Sequence, residues 1–473
     1  MPSKQAKLIF WVSVSFFLIT STVAVYWKMP LLHLLPFSLL FLLITFVNFR
    51  TVFFLMLFVL PFSTEAFIGE FGIDLPSEPL VMLLSGFSIL YFIRNKEEIR
   101  RSTYRHPIFF IIALQFVWSC IATCFSSDVY FSVKYLLAKL WYLLCFLVLP
   151  VVLIRKEYLF RRFFWCLFLP TLFSILFVLI KHATRQFDFD SIQYAVNPIY
   201  RNHVNYAVFI TMMLPFLFLA KSWYPAYSFK YKLLKYSIPV FLGAIYLSYT
   251  RGAWLAVGTM LIYYYVLRFK LTKYVLAFAF AGAIGFCSYI LYDNNYLNYA
   301  PDYEHTIYHD ELADHLSSTF EMEDMSTVER FYRWIAAIKL SKENPVVGVG
   351  PNNFVSNYKQ HTVTAFETYI SDNDERSTVH NYFLLLLSEQ GFPALLLFLL
   401  LIIVTLLTAQ QEYTNASAYR RKYILALTLC IIVFLLNNTL SDLVEANKVG
   451  SLFLMCLGLL AVFSSREIEL SEY

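Results

Sequence analysis

The sequence predicts an all-α integral membrane protein of 12–14 transmembrane helices with one large helical loop on the non-cytoplasmic side. Three observations carry the prediction. The apolar share is 59% and the charged share 15%, against about half and about a quarter in a soluble domain, and mean hydropathy is +0.60. The apolar residues fall into runs near the ~20 residues that a bilayer crossing requires. The charges collect between the runs, with basic loops on one side and acidic ones on the other.

The runs are 8–26, 30–48, 51–67, 79–94, 107–125, 133–154, 160–181, 203–220, 236–250, 253–267, 274–292, 383–408, 423–438 and 449–464. Phe (48) and Tyr (34) are abundant while Gly (13) and Pro (17) are scarce, as long, rarely broken helices require. The first run has no small-residue cleavage site after it and is expected to be a retained helix. With Lys4 and Lys7 in the cytoplasm, the basic connections 94–105, 155–162, 221–235, 268–273 and 420–422 all fall inside. The acidic connection 65–78 and the segment from about 293 to 379, with 15 Asp/Glu against 6 Lys/Arg, fall outside. The chain thus divides into a first membrane part (1–292), an outer loop or cap (293–379) and a second membrane part (380–473).

Residues 236–267 test the topology. A single helix would be about 48 Å long and would invert everything after it. It would also place Arg251 in hydrocarbon, at a cost of at least ~2.5 kcal/mol. Two short helices meeting at Tyr249-Thr250-Arg251-Gly252 remove both problems.

The outer loop has helical order. Ser326-Thr327-Val328-Glu329 offers a cap, and Phe331, Trp334, Ile335, Ile338 and Leu340 an apolar face. Asn344-Pro345 ends the helix, Gly348-Val349-Gly350-Pro351 turns the chain, and a second amphipathic stretch covers 353–369. The seven cysteines lie in apolar stretches and read as small buried hydrophobes. His305, His309, Asp310, Glu311, Asp314 and His315 read as a solvated acidic face rather than a metal site.

Four segments carry polar chemistry on the expected outer face: Tyr200-Arg201-Asn202-His203, Thr250-Arg251-Gly252-Ala253, Glu329 to Trp334, and His380-Asn381-Tyr382 with Ser388-Glu389-Gln390-Gly391 after it. In order and spacing they resemble the O-antigen ligase and polymerase superfamily of bacterial envelope enzymes. The shared features are an arginine followed by small residues (Arg251) and an arginine before a tryptophan, then Pro and a Gly-x-Gly turn (Arg330, Trp334, Pro345, Gly348, Gly350). His-Asn then opens a late helix, with Glu-x-Gly following (His380, Asn381, Glu389, Gly391). The Ser-Glu-Gln-Gly form departs from the small residues more usual around that glutamate.

The resemblance implies a fold of GT-C type in a bacterial inner membrane with its active site on the periplasmic face. It implies transfer of a glycan from an undecaprenyl diphosphate carrier to an acceptor hydroxyl, on the lipid A-core in a ligase or on another carrier-linked repeat in a polymerase. Besides these substrates and membrane lipids, no nucleic acid partner, cofactor or metal is expected. Negative charge grows on the leaving diphosphate, and guanidinium groups bind phosphate oxygens in a bidentate fork without deprotonating. Arg251 and Arg330 are the catalytic candidates for that charge and His380 for the proton of the attacking hydroxyl, in one inverting displacement. Arg201, Arg333, Asn381 and Glu389 are candidates for holding diphosphate or glycan. Arg251 and Arg201 equally suit anchors at lipid headgroups, and Arg330 a partner for Glu329. Lys134, Lys139, Asn437, Asn438, Asp442 and Glu445, polar in or near spans, are further suspects. A transporter is the rival from another class; it calls for repeats and paired broken helices, which the sequence does not display.

Overall fold

The computed structural model describes residues 35–68, 71–94, 105–292, 325–361 and 378–465, together with Thr20, Val23 and Asn295. They form a helical membrane bundle with one small β-hairpin. The helices are α1 (Leu35–Val59), α2 (Ser77–Arg94), α3 (Pro107–Cys124), α4 (Val129–Leu153), α5 (Glu157–Ala183), α6 (His203–Lys221) and α7 (Phe229–Tyr246). There follow α8 (Arg251–Arg268), α9 (Thr272–Leu291), α10 (Met325–Glu343), α11 (Tyr382–Asn415), α12 (Ala418–Asn437) and α13 (Asn447–Ser464).

Among the described residues, seven helices are long and apolar enough to cross a membrane: α3, α4, α5, α6, α9 as far as Tyr289, α11 and α13. Asn48–Phe62 and Ser77–Tyr91 are shorter apolar helices. The expected run 8–26 lies outside the described residues, Thr20 and Val23 apart. Runs 30–48 and 51–67 join as α1, interrupted at Asn48, whose φ of −149° leaves the helix and whose Oδ1 accepts from Thr51 N at 3.2 Å. The second of these runs stops short of 67. After Leu60–Phe62 the chain enters an antiparallel hairpin, β1 (Thr64–Ile68) and β2 (Phe71–Leu75), with Glu65 opposite Asp74. Hydropathy counts apolar side chains whatever their backbone, so it extended the helix into a strand.

The core is built around α6 and α13, most of whose residues are buried, while α9 is almost wholly exposed. α6 packs on α12 and α7, α12 on α8 and α13, and α3 on α11. Helix starts are fixed by side chains accepting orphan N–H groups: Asp128 from Tyr130 N at 2.9 Å, Asn202 from Asn205 N at 2.8 Å, and Ser228 from Tyr231 N at 3.1 Å.

The chain breaks between α7 and α8 as the cost of a membrane-buried Arg251 demands. Tyr249 takes a φ of 53°, Trp254 Nε1 donates back to Ile245 O at 2.9 Å, and the rings of Tyr246 and Trp254 stack at 5.5 Å. Two helices therefore stand where one of 32 residues could have run. α11 has a break of its own at Gly391, with φ of 73°, inside an apolar run that reads as continuous.

α10 packs on α11 and ends at Asn344-Pro345 as expected. Two details of that expectation are corrected. Ser326 lies within the helix rather than before it, and the buried stripe adds Tyr332, Arg333, Ala336 and Ala337 to the expected Ile335 and Leu340, with Phe331, Trp334 and Ile338 at its edge. A polar residue thus occupies the face that apolar periodicity assigned elsewhere. Of the stretch 353–369, Phe354–Asn357 is helix and Lys359–His361 a 3-10 turn; 362–369 and the His305–His315 group lie outside the described residues.

Candidate active site

The polar residues at the span ends meet around the connection between α12 and α13, residues 438–446. Asn381 opens α11 as its cap, accepting from Phe383 N at 3.0 Å and Leu384 N at 3.1 Å. Its amide donates to Thr439 O at 3.0 Å, and Tyr382 N donates to Asn438 O at 3.0 Å. Asn438 Oδ1 in turn accepts from Leu443 N at 3.0 Å. The start of α8 reaches the same connection: a Cβ on Gly252 would lie 3.0 Å from Asn437 Oδ1 and 3.7 Å from Leu440. The small residue after Arg251 therefore lets the amino end of α8 close on α12.

Arg333 comes to this place from α10. It is 1% exposed, and Nη1 donates to the carbonyl of Thr378 at 3.2 Å. Thr378 Oγ1 donates to Asp442 Oδ2. Burial raises the Asp442 carboxyl above its usual range, opposed by the Thr378 hydroxyl and by the charges of Arg333 and Arg201. Two residues beyond Thr378, His380 takes the left-handed conformation at φ 57° just outside α11. Burial, followed by the charges of Arg333 and Arg330, lowers its pKa to about 3. The imidazole is therefore neutral at physiological pH and able to accept a proton, and among the described residues nothing hydrogen-bonds to its ring.

Arg201 stands at the open side. Its side chain is 75% exposed, Nε lies 3.8 Å from Glu65 Oε2 on the hairpin, and its charge also acts on Asp442. The first turn of α13 holds this corner. Lys448 donates to Ile199 O and lies 4.1 Å from the centroid of the Tyr200 ring, while Asn447 Nδ2 donates to Asp74 Oδ2 at 2.8 Å and Ser77 Oγ at 2.9 Å.

Glu389 takes a different position. Its Oε2 accepts from Asn352 N at 2.8 Å and its Oε1 from Phe354 N at 2.9 Å, so both oxygens hold the turn after α10. Lys139 reaches Ser119 Oγ on α3 and Tyr135 OH on its own helix, at 3.3 Å each.

Of the residues expected from sequence, the structure thus groups Arg330, Arg333, His380 and Asn381, brings Arg251 and Arg201 to their margin, and places Glu389 behind them. Thr378 was not foreseen, and Asp442 was only one of several intramembrane suspects. Its signal was the polar run Asn437 to Asp442, which interrupts two apolar helices.

Residues 237–399 match the family model described as O-antigen ligase. No curated protein matches the chain. The matched stretch contains Arg251, Arg330, Arg333, His380, Asn381 and Glu389; Arg201 and Asp442 lie outside it. The match brings with it glycosyltransferase-like activity in general terms and glycan and lipid-linked substrates as a class, in a multi-pass membrane protein.

Proposed function

We propose, for a chain that belongs through residues 237–399 to the O-antigen ligase superfamily, that it transfers a glycan from undecaprenyl diphosphate to a sugar hydroxyl of the lipid A-core. Transfer takes place at the periplasmic face of the inner membrane. The observation that carries this reading is the neutral imidazole of His380 set beside the buried guanidinium of Arg333 and the charge of Arg330. Cations fixed in a partly dry site stabilise charge developing on a leaving diphosphate, commonly the largest catalytic contribution. Arg330 and Arg333, with Arg251 and Arg201 at the margin, supply that stabilisation.

His380 takes the proton from the acceptor hydroxyl as its oxygen bonds to the anomeric carbon. The bond from that carbon to the diphosphate oxygen breaks, and the electron pair leaves with the diphosphate. Attack opposite the leaving group inverts the anomeric configuration, with no metal required. Asp442 and Thr378 hold Arg333 in place and balance its charge.

A polymerase shares this chemistry and differs in acceptor. The break in α11 does not favour a transporter, because the Pro345–Val346 backbone fills it: Phe392 N donates to Pro345 O at 2.9 Å. The test is to incubate the purified protein with polyprenyl diphosphate glycan and lipopolysaccharide core and to determine the product and its anomeric configuration by NMR. The reading predicts glycan on the core with inverted configuration. Lengthened carrier-linked chains identify a polymerase instead, and a retained configuration rules out single displacement.

A further inference from the structure

The turn after α10 is set into the bundle by contacts that leave no space. A Cβ on Gly391 would lie 2.0 Å from Val346 O, one on Gly348 2.3 Å from the backbone of Glu389, and one on Gly350 2.1 Å from Ser126 Oγ. Across the α11 break, Val349 N donates to Ser388 O at 3.0 Å and Gly350 N to Glu389 O at 2.8 Å. From the other side, Ser127 N donates to Val349 O at 2.9 Å. The amide of Asn353, wholly buried, donates to Ser126 Oγ and Ser132 Oγ at 2.8 Å each and to Pro351 O at 2.9 Å. At the centre, Glu389 is 4% exposed and has an oxygen on each of two turn N–H groups.

α10 bears Arg330 and Arg333, and His380 lies two residues before α11. Their relative placement passes through this socket. We infer that Glu389 is a positioning residue: its carboxylate locks the Gly348–Phe354 turn into the α11 break and so fixes the distance of Arg330 and Arg333 from His380. The inference rests on the reading of these three residues as the reaction centre. A carboxylate suits the task because two N–H donors converge on it in a buried site, where charge-assisted bonds are strong. Gln keeps the shape but turns an N–H₂ toward one donor.

The socket has an electrostatic consequence. If the arginines recede from His380, its imidazole protonates more readily. Misplacement therefore moves the pH profile, which a simple loss of folded protein does not.

The experiment compares wild type, Glu389→Gln and Glu389→Asp, with Asn353→Ala loosening the socket from the α3–α4 side. Transfer is measured per folded protein across pH, using polyprenyl diphosphate glycan and lipopolysaccharide core. For Glu389→Gln, kcat is expected to fall at least ten-fold with the donor KM within about two-fold. The acid limb of kcat/KM should rise by a pH unit or more, and Asn353→Ala should shift it in the same direction. A ten-fold rise in donor KM with kcat unchanged would make Glu389 a substrate contact and overturn the proposal. So would a rate loss with an unmoved acid limb.

Spin labels at Lys342 on α10 and Leu396 on α11, with the exposed Cys124 and Cys287 replaced by Ser, report the socket without activity. Their distance distribution should broaden or lengthen in Glu389→Gln, and an unchanged distribution contradicts the inference. Wild type silent in transfer, with the distance change intact, counts against the reaction and not against the socket.

Discussion

Arg333 donates from Nη1 to the carbonyl of Thr378 at 3.2 Å, two residues before His380 on the same strand of chain. A buried cation from α10 is thereby fastened to the segment that presents His380. Arg333 is 1% exposed, so the bond is made where its strength is not lost to solvent.

Truncating this arginine should affect both folding and rate. Arg333→Ala leaves the Thr378 carbonyl and the Asp442 carboxylate without their cation, and breaking a buried charge arrangement costs about 3–5 kcal/mol. Transfer per folded molecule is expected to drop roughly a hundred- to thousand-fold, the loss typical of one preorganised charge-stabilising donor. Arg333→Lys keeps the charge but not the fork and should recover only part of it. Thermal melts in detergent and initial rates separate the two effects; wild-type rates in Arg333→Ala would remove the residue from the site.

The pH dependence follows from the lowered pKa of His380. In the free protein the imidazole stays neutral down to about 3 because burial, Arg333 and Arg330 all disfavour its charged form. Bound diphosphate offsets the arginines and raises that pKa. The acid limb of kcat, which reports the complex, should therefore lie at higher pH than that of kcat/KM, which reports the free enzyme. Arg330→Gln should bring the two limbs closer by raising the second. Coincident limbs in wild type would contradict the electrostatic assignment.

The same group sets a trend in stability. The folded pKa lies below the unfolded value near 6.5, so as pH falls the unfolded chain takes up the proton first. The contribution of His380 is fully present above pH 6.5 and is lost as pH falls from there toward 3. His380→Gln should flatten the decline of melting temperature with acidification over that window; an unaltered slope counts against a buried neutral imidazole.

Much of this was legible before the fold. Apolar runs located the helices because lipid selects composition over a whole span, and Arg251 marked the α7–α8 break because a charge in hydrocarbon is costly. His380 and Arg330 could be picked out because their motifs resemble those of a known family in order and spacing, and Arg333 because it lies in the same motif. The hairpin 64–75 and the Gly391 break could not. An apolar strand and a glycine within an apolar helix leave no mark on hydropathy; only the close approach of Val346 O shows why no side chain fits. The role of residues 438–446 was hidden too, because it arises from α8, α10 and α11 meeting there.

Gly391→Ala should therefore be among the most disruptive small substitutions in the protein. It meets Val346 O at 2.0 Å and must adopt φ 73° with ψ −176°, a region essentially confined to glycine that costs about 1–3 kcal/mol before the clash is counted. Fluorescence-detected size exclusion should show little monodisperse protein. Gly86→Ala, on α2 with no atom near its Cβ position, serves as the control and should behave as wild type.

A second buried carboxylate lies at the far end of α5. Glu157, 4% exposed, accepts from Arg161 Nε at 2.8 Å, from Tyr423 OH at 3.0 Å and from Tyr419 OH. It ties α5 to the first turns of α12, at the opposite end of that helix from Asn437. Glu157→Gln should lower the melting temperature by several degrees and leave transfer per folded molecule within about two-fold. A large change in rate would extend the site well beyond the residues assigned to it.

The central claim is that His380 removes the acceptor proton beside the arginines. It is tested most directly by transfer from purified polyprenyl diphosphate glycan to lipopolysaccharide core with wild type and His380→Ala, folded fractions matched. The account predicts transfer by wild type and a loss of at least a hundred-fold in His380→Ala, with donor lipid still bound. Transfer by His380→Ala at a rate near that of wild type would contradict it.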